Sequence, residues 1–179
     1  MLNKLKEVYR TVAEGKEAAL TFTADGEEYL RSFHPPERLI LLGCGNIGQE
    51  LCRYAADLGF TVTAVDERPG FANRTLMPDA AEILCSDFPD AIRRLQITER
   101  DYVCVITRGH RFDADCLREI LPGAYPRYLG MIGSKRRVAL LMKQLESEGF
   151  GPDALKRIHA PIGISINALT VKEIAISIV

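Results

Sequence analysis

Three features of the 179-residue chain predict an α/β fold built on a doubly wound, mostly parallel sheet with helices on both faces. The first is the unbroken apolar run at residues 39–42, as expected of a strand covered on both sides. The second is the stretch directly after it: Gly43, Gly45 and Gly48 at G-x-G-x-x-G spacing, then Ile47, Leu51, Ala55 and Leu58 at helical intervals. The third is that this strand–turn–helix alternation recurs downstream, the pattern of a parallel sheet with crossover helices. Together they describe a Rossmann-like fold. A small helix and β-hairpin precede it.

The elements run in chain order. Residues 2–12 place Leu2, Leu5, Val8 and Val12 at amphipathic helical spacing. Residues 18–23 and 28–33 read as two strands around Asp25-Gly26, a hairpin turn pair. His34-Pro35-Pro36 is a stiff linker, with His34 as a solvated residue. The expected division is therefore a small extension over residues 1–35, too small to stand alone, and a Rossmann-like domain over 36–179.

After the strand at 39–42 comes the glycine loop. Gly43 allows the tight turn, Gly45 lets a pyrophosphate approach the backbone, and Gly48 lets the helix pack closely on the sheet. Cys44, Asn46 and Ile47 complete the loop. The helix start offers free N–H groups and a positive dipole end to an anion. Gly59 ends the helix, residues 62–65 form the second strand, and Asp66 closes it. An acidic residue there can accept hydrogen bonds from an adenosine ribose, which completes the dinucleotide fingerprint. Glu67-Arg68-Pro69-Gly70 is a polar loop at the same strand end. Asp66 favours NAD, because a carboxylate repels a 2′-phosphate, while Arg68 leaves NADP open. The alternative is a glycine-rich turn without nucleotide, since a fold does not guarantee its ligand.

A strand at 82–85 ends at Ser86-Asp87. A helical turn or two follows at 90–95. The strand at 102–106 ends in Thr107-Arg108-Gly109-His110, and a helix covers 114–121. A fifth strand at 128–132, interrupted by Gly130, leads to Gly133-Ser134-Lys135-Arg136-Arg137. Val138, Leu141, Met142 and Leu145 then give a helix stripe. Ser134 is a suitable N-cap. Cations in that first turn oppose the helix dipole, which a bound phosphate would explain and a solvated basic face would explain equally. Gly149 to Asp153 reads as a turn. Residues 158–164 read as a last edge strand, because Pro161 cannot donate to a ladder. Thr170 and Glu173 form a capping box opening a final apolar helix. The first expectation for strand order is 3-2-1-4-5-6. The strand ends then bring together the glycine loop, Asp66, Asp87, Thr107, Arg108, His110, Ser134, Lys135, Arg136 and His159 at one edge.

Composition excludes several classes. A net charge of −1 gives no reason to expect nucleic acid or an acidic membrane surface as partner. No apolar run approaches a membrane span, and the N-terminus lacks a signal-peptide core, so a cytoplasmic protein is expected. Cys44, Cys52, Cys85, Cys104 and Cys116 form no C-x-x-C pair or zinc-type cluster, and no metal site is expected. Most read as small buried hydrophobes. Cys44 lies beside a helix N-terminus that would lower a thiol pKa; the plain reading is a small residue where Ala often stands, the sharper one a role in handling sulfur. No paired carboxylates, Ser-His-Asp set or metal-ligand spacing identifies a turnover mechanism. A binding protein is favoured over an enzyme, with His110, His159 and Cys44 the weak catalytic candidates. Polar-loop and structural readings stand beside them for the two histidines.

Five stretches in this order carry a family resemblance: Leu-Leu-Gly-Cys-Gly-Asn-Ile-Gly, Val-Asp-Glu-Arg-Pro-Gly-Phe-Ala, Val-Ile-Thr-Arg-Gly-His, Tyr-Leu-Gly-Met-Ile-Gly-Ser-Lys-Arg-Arg and Ile-His-Ala-Pro-Ile-Gly. Over residues 36–179 the chain resembles the C-terminal Rossmann domain of the xanthine dehydrogenase accessory (XdhC/CoxI) family. The resemblance implies an accessory protein, or chaperone, for molybdenum hydroxylases. Such proteins bind the molybdenum cofactor, promote its sulfuration by a cysteine desulfurase, and help insert it into the apoenzyme. Two departures are visible. The family's glycine loop often reads Gly-Ala-Gly-His, and Asn46 stands here in place of that histidine. On this resemblance the usual N-terminal domain is expected to be cut down to residues 2–33.

The residues suit an anionic cofactor, molybdopterin or NAD(P), with backbone N–H groups at 45–48 and the cluster at Ser134-Lys135-Arg136 available to phosphate. His110 and His159 could hydrogen-bond a pterin. Two alternatives use the same residues. One is an NAD(H)-binding regulatory module, because residues 39–107 also resemble the nucleotide-sensing domains of potassium channels and transporters. The other is an NAD(P)-dependent oxidoreductase using Arg108, His110 and His159. A homodimer is the expected oligomer.

Overall fold

The computed structural model describes residues 2–179. The chain divides into two compact units, Met1–Pro36 and Glu37–Val179.

In the first unit, α1 (Leu2–Ala13) is amphipathic, and none of its described residues is buried. The strands β1 (Ala18–Ala24) and β2 (Glu27–Phe33) pair antiparallel, with Ala24 opposite Glu27. Asp25 and Gly26 have φ of 52° and 82°. Positive φ at both central residues is what a two-residue type I′ hairpin requires. Phe22 stacks on its cross-strand neighbour Tyr29 at 5.7 Å.

The second unit is built on β3 (Arg38–Leu42), β4 (Thr61–Asp66), β5 (Glu82–Cys85), β6 (Tyr102–Val105) and β7 (Tyr128–Met131). All pair in parallel, in the order β5-β4-β3-β6-β7. Counted within the sheet, this is 3-2-1-4-5, and the chain reverses direction across the sheet between β3 and β6. The helices are α2 (Asn46–Asp57), α3 (Phe88–Leu95), α4 (Asp113–Ile120), α5 (Lys135–Ser147), α6 (Pro152–Lys156) and α7 (Val171–Ile178).

Two apolar layers fill the faces of the sheet. Alternation along each strand sends Ile40 and Leu42 to one face and Leu39 and Leu41 to the other. The first layer meets α3, α4, α5 and α6 through Ile92, Leu117, Leu145 and Leu155. The second meets α2 and α7 through Leu51, Ala55 and Ala175. This is the doubly wound arrangement that the buried apolar strands predict.

The expected sixth strand is not one. Residues 158–164 make a single parallel bridge, His159 opposite Gly130. The His159 N–H donates to Leu129 (2.8 Å), Met131 donates to His159 (3.0 Å), and Ile162 donates to Met131 (2.7 Å). The ladder goes no further because Pro161 has no N–H and Gly163 turns to φ 89°. Gly130 does not interrupt β7. A side chain there would strike Ile162, so glycine is what lets this segment lie against the strand. The residues expected to turn at 149–153 lead into α6, with Gly151 as N-cap and Pro152 in the first turn. Leu58, expected on the buried helix stripe, is exposed at the end of α2. No helix among the described residues is long and apolar enough to cross a membrane.

Candidate functional site

The strand-order reversal between β3 and β6 places the loops after them side by side at the carboxyl edge of the sheet. There the glycine loop is held from several directions. Gly43 has φ 126°, and its N–H donates to Val65 O at 2.8 Å. A Cβ on Gly43 would overlap the backbone of Ile106, and one on Gly48 would overlap Gly43 O. Gly45 differs: nothing lies within 4 Å of where its Cβ would be. It is the N-cap of α2, and no side chain caps that helix. The N–H groups of Asn46, Ile47 and Gly48 therefore open the helix without a side-chain acceptor. Gln49, which belongs to no motif, closes the loop by donating from Nε2 to Cys44 O at 3.1 Å.

The Asp66 carboxylate is 1% exposed and serves its own chain. It accepts from Cys44 N–H (2.9 Å), Arg68 N–H (3.1 Å), Arg68 Nε (2.8 Å) and Arg68 Nη2 (2.9 Å). Burial pushes its pKa up, but the guanidinium and the two N–H groups outweigh burial and hold it below the ordinary value. The Arg68 guanidinium also lies 3.8 Å from the centre of the Phe71 ring. The carboxylate expected to receive a ribose is thus engaged here by the glycine loop and Arg68. Glu67 is exposed, and its carbonyl accepts from the Cys85 thiol at 3.9 Å.

Cys44 is fully buried, and its thiol is pushed up to about 12 by burial and then by Asp66. The lowered thiol pKa expected beside the helix start is overturned, because burial pushes this thiol up. Among the five cysteines Cys85, not Cys44, is the exposed one.

Asp87 is the N-cap of α3, accepting from Asp90 N–H at 2.9 Å. Its oxygen serves a helix start, at the end of the sheet's edge strand. Thr107 is buried and donates from Oγ1 to Asp113 Oδ1 at 2.6 Å. Asp113, also buried, belongs to no motif; its acidic position at the first residue of α4 is the available signal in the sequence. Arg108 is exposed and begins a 3-10 turn, Arg108–His110, with Gly109 at φ 60°. The side chain of His110 lies outside what the structure describes.

His159 does not join the carboxyl edge. It sits opposite the middle of β7, exposed, and its ring stacks on Tyr128 at 4.7 Å. Tyr128 begins β7, so the ring is directed away from the loops that end the strands.

Between the loops after β6 and β7 lies a cavity of about 580 Å³. Gly109 and Arg111 come from the first loop, Gly133 from the second and Arg137 from the first turn of α5, and Met131 and Leu141 supply apolar wall. Ser134 is the N-cap of α5, accepting from Arg137 N–H at 3.4 Å. Lys135 and Arg136 are exposed and do not line the cavity; Arg137 does. The basic cluster is visible in the sequence, but which cation turns toward the cavity depends on the helix phase after Ser134.

Known proteins bear on this geometry. Residues 39–179 match the family described as the XdhC Rossmann domain. The chain is 32% identical to the uncharacterized protein YqeB of Escherichia coli (strain K12) over 142 residues, which is 79% of this chain and 26% of that protein. It is 28% identical to a probable xanthine dehydrogenase subunit of Bacillus subtilis (strain 168) over 151 residues, 84% of this chain and 43% of that one. A crystal structure of a xanthine dehydrogenase from Bacillus halodurans superposes with a TM-score of 0.81 at 27% identity, covering 98% of this chain and 64% of that one. The chain thus spans less than half the length of both curated relatives. The match runs through the glycine loop, the carboxyl-edge loops and α7, and on it the chain belongs to the XdhC Rossmann-domain family.

Proposed function

We propose that this chain is the ligand-binding part of an accessory protein that serves a molybdenum hydroxylase of the xanthine dehydrogenase type. Its ligand is the molybdenum cofactor in an anionic pterin or pterin-nucleotide form. The observation that carries the reading is the start of α2: an uncapped helix N-terminus at the strand-order reversal, with Gly45 leaving open space in front of it. An anionic oxygen fits there by hydrogen bonding and by the helix dipole. A nicotinamide dinucleotide fits less well, because its ribose would have to displace Arg68 from Asp66. The names of the relatives from Bacillus supply the client class.

The bound pterin would bring the metal-binding sulfur chemistry that the client enzyme uses. This chain's residues hold the anionic end and keep Cys44 protonated. Sulfur for the cofactor comes, in this proposal, from a partner of the cysteine desulfurase class. A second copy of this chain is the remaining proposed partner; Leu2, Leu5, Tyr9 and Leu30 are apolar and exposed in the first unit.

Gly45→Asp tests the reading. The backbone at Gly45 (φ −69°, ψ −175°) suits aspartate as an N-cap, so the helix gains a cap while the anion meets a carboxylate. Molybdopterin released from a purified molybdoenzyme is titrated into both proteins. The expected result is saturable binding by the wild type, at least tenfold weaker in the variant, with an unchanged or raised melting temperature. Equal binding by both, or binding by neither, contradicts it.

A further inference from the structure

We infer that the cavity between α4 and α5 is a phosphomonoester subsite, with Arg111 and Arg137 as its clamp and an apolar wall that takes the attached heterocycle. The inference rests on the reading above and adds a second anion position to it: the ligand's phosphate lies in this cavity, and the anionic oxygen at the start of α2 belongs to its metal-binding end.

The charges around the cavity are not equivalent. Arg118 is fully engaged: its guanidinium bonds Asp115 (2.7 Å) and both oxygens of Glu148 (2.7 and 2.8 Å). The first of those bonds also neutralises Asp115, one of the two acidic residues that line the cavity. The other, Asp113, accepts from Thr107 at 2.6 Å. Arg111 and Arg137 remain. Neither is in an ion pair with a described residue, and Arg111 lies beside the Phe112 ring at 5.7 Å. Arg111 comes from the loop after β6 and Arg137 from the first turn of α5, and both line this one space. That arrangement suits a dianionic tetrahedral oxyanion better than a monocarboxylate.

The rest of the wall is apolar. Met131 ends β7, Ile132 follows it, and Val138 and Leu141 come from α5. A cavity of about 580 Å³ is of the size that holds a small ligand. Its place, outside the carboxyl ends of parallel strands, is where open α/β sheets take ligands. A pterin phosphate and a purine mononucleotide share the chemistry required, and the test separates them.

GMP, guanosine and molybdopterin are titrated separately into the full chain and into Arg111→Ala and Arg137→Ala. Arg94→Ala is the control, an exposed arginine that does not line the cavity. The expected result is saturable binding of a phosphorylated ligand, at least tenfold weaker in each of the first two variants and unchanged in the third. Guanosine binds at least tenfold more weakly than GMP if the mononucleotide is the ligand. Arginine-dependent binding of molybdopterin alone identifies the pterin phosphate. Far-ultraviolet circular dichroism shows that each variant is folded. Binding that is indifferent to both arginines, or no binding of either phosphorylated ligand, overturns the inference. Molybdopterin binding lost in Gly45→Asp but intact in both arginine variants would leave the proposed function standing and remove this subsite alone.

Discussion

At the scale of single residues, two buried carboxylates organise the domain. Asp66 ties the glycine loop to the end of β4. Asp101, 4% exposed, receives Arg38 Nε and Nη2 at 2.8 and 2.7 Å and Thr98 N–H at 2.7 Å. Burial raises both pKa values, and their partners more than reverse it, so both lie below the ordinary value of 3.8 in the folded chain. A lowered folded pKa contributes stability that is present above the unfolded pKa and lost as pH falls through the folded one. Urea midpoints are therefore expected to hold near neutrality and to fall as pH drops below about 4. Asp66→Asn and Asp101→Asn should each be less stable at pH 7 and show a shallower acid loss; a wild-type midpoint that does not move between about pH 6 and pH 3 would count against this. Arg38→Ala leaves a buried carboxylate with only Thr98 and should cost about 2–3 kcal/mol in denaturant titration. The glycines make a second residue-scale prediction. Gly48→Ala pushes α2 off Gly43 and should cost about 1–3 kcal/mol, whereas the same change at Gly45 finds open space and should be nearly neutral apart from binding.

At the scale of elements, helix starts sort into capped and uncapped. α7 has the full capping box: Glu173 N–H donates to Thr170 Oγ1 at 3.2 Å, and Glu173 Oε2 accepts from Leu169 and Thr170 N–H at 2.7 and 2.8 Å. Those donors hold the Glu173 carboxyl below its ordinary value. The α5 cap is longer, at 3.4 Å. Thr170→Ala should cost about 1 kcal/mol. Ser134→Ala should cost less, a ranking that thermal melts of the two variants can reverse or uphold. α2 starts without a side-chain cap, as α4 and α6 also do, and of the three it is the one at which we propose a bound anion. The caps of α5 and α7 are legible in the sequence as Ser and Thr-x-x-Glu signals. The segment 158–164 is not legible in the same way. Its apolar β-branched residues on either side of Pro161 look like an edge strand, while the ladder depends on N–H groups and on Gly130, neither of which a hydrophobic pattern reports.

For the whole molecule, the apolar alternation and the glycine fingerprint suffice to read the parallel sheet, because a strand covered on both faces has few other solutions. They also suffice to place the loops of the second unit at one edge. What the sequence does not show is which groups at that edge are already bonded. Asp66 reads as a ribose acceptor, but Arg68 occupies it from two residues away, in a loop whose turn the sequence does not specify. His159 reads as a strand-end residue, but its register puts it opposite mid-β7. Arg111 and Asp113 belong to no motif, and only the packing of α4 against the loop after β6 brings them to the cavity. The two apolar layers draw only on residues of the second unit. A chain of residues 37–179 is therefore expected to unfold in one cooperative transition with a midpoint near that of the full chain; loss of cooperativity on removing residues 1–36 would show that the first unit is required.

We propose that this XdhC-family domain holds an anionic pterin cofactor at the carboxyl edge of its sheet. The most direct measurement is mass spectrometry of the ligand released from the protein purified out of cells that make molybdopterin, done side by side on wild type and Gly45→Asp. The account predicts a molybdopterin species with the wild type and its loss from the variant. Recovery of a nicotinamide nucleotide instead, retained in Gly45→Asp and lost in Asp66→Ala, would contradict it and would make the chain a nucleotide sensor.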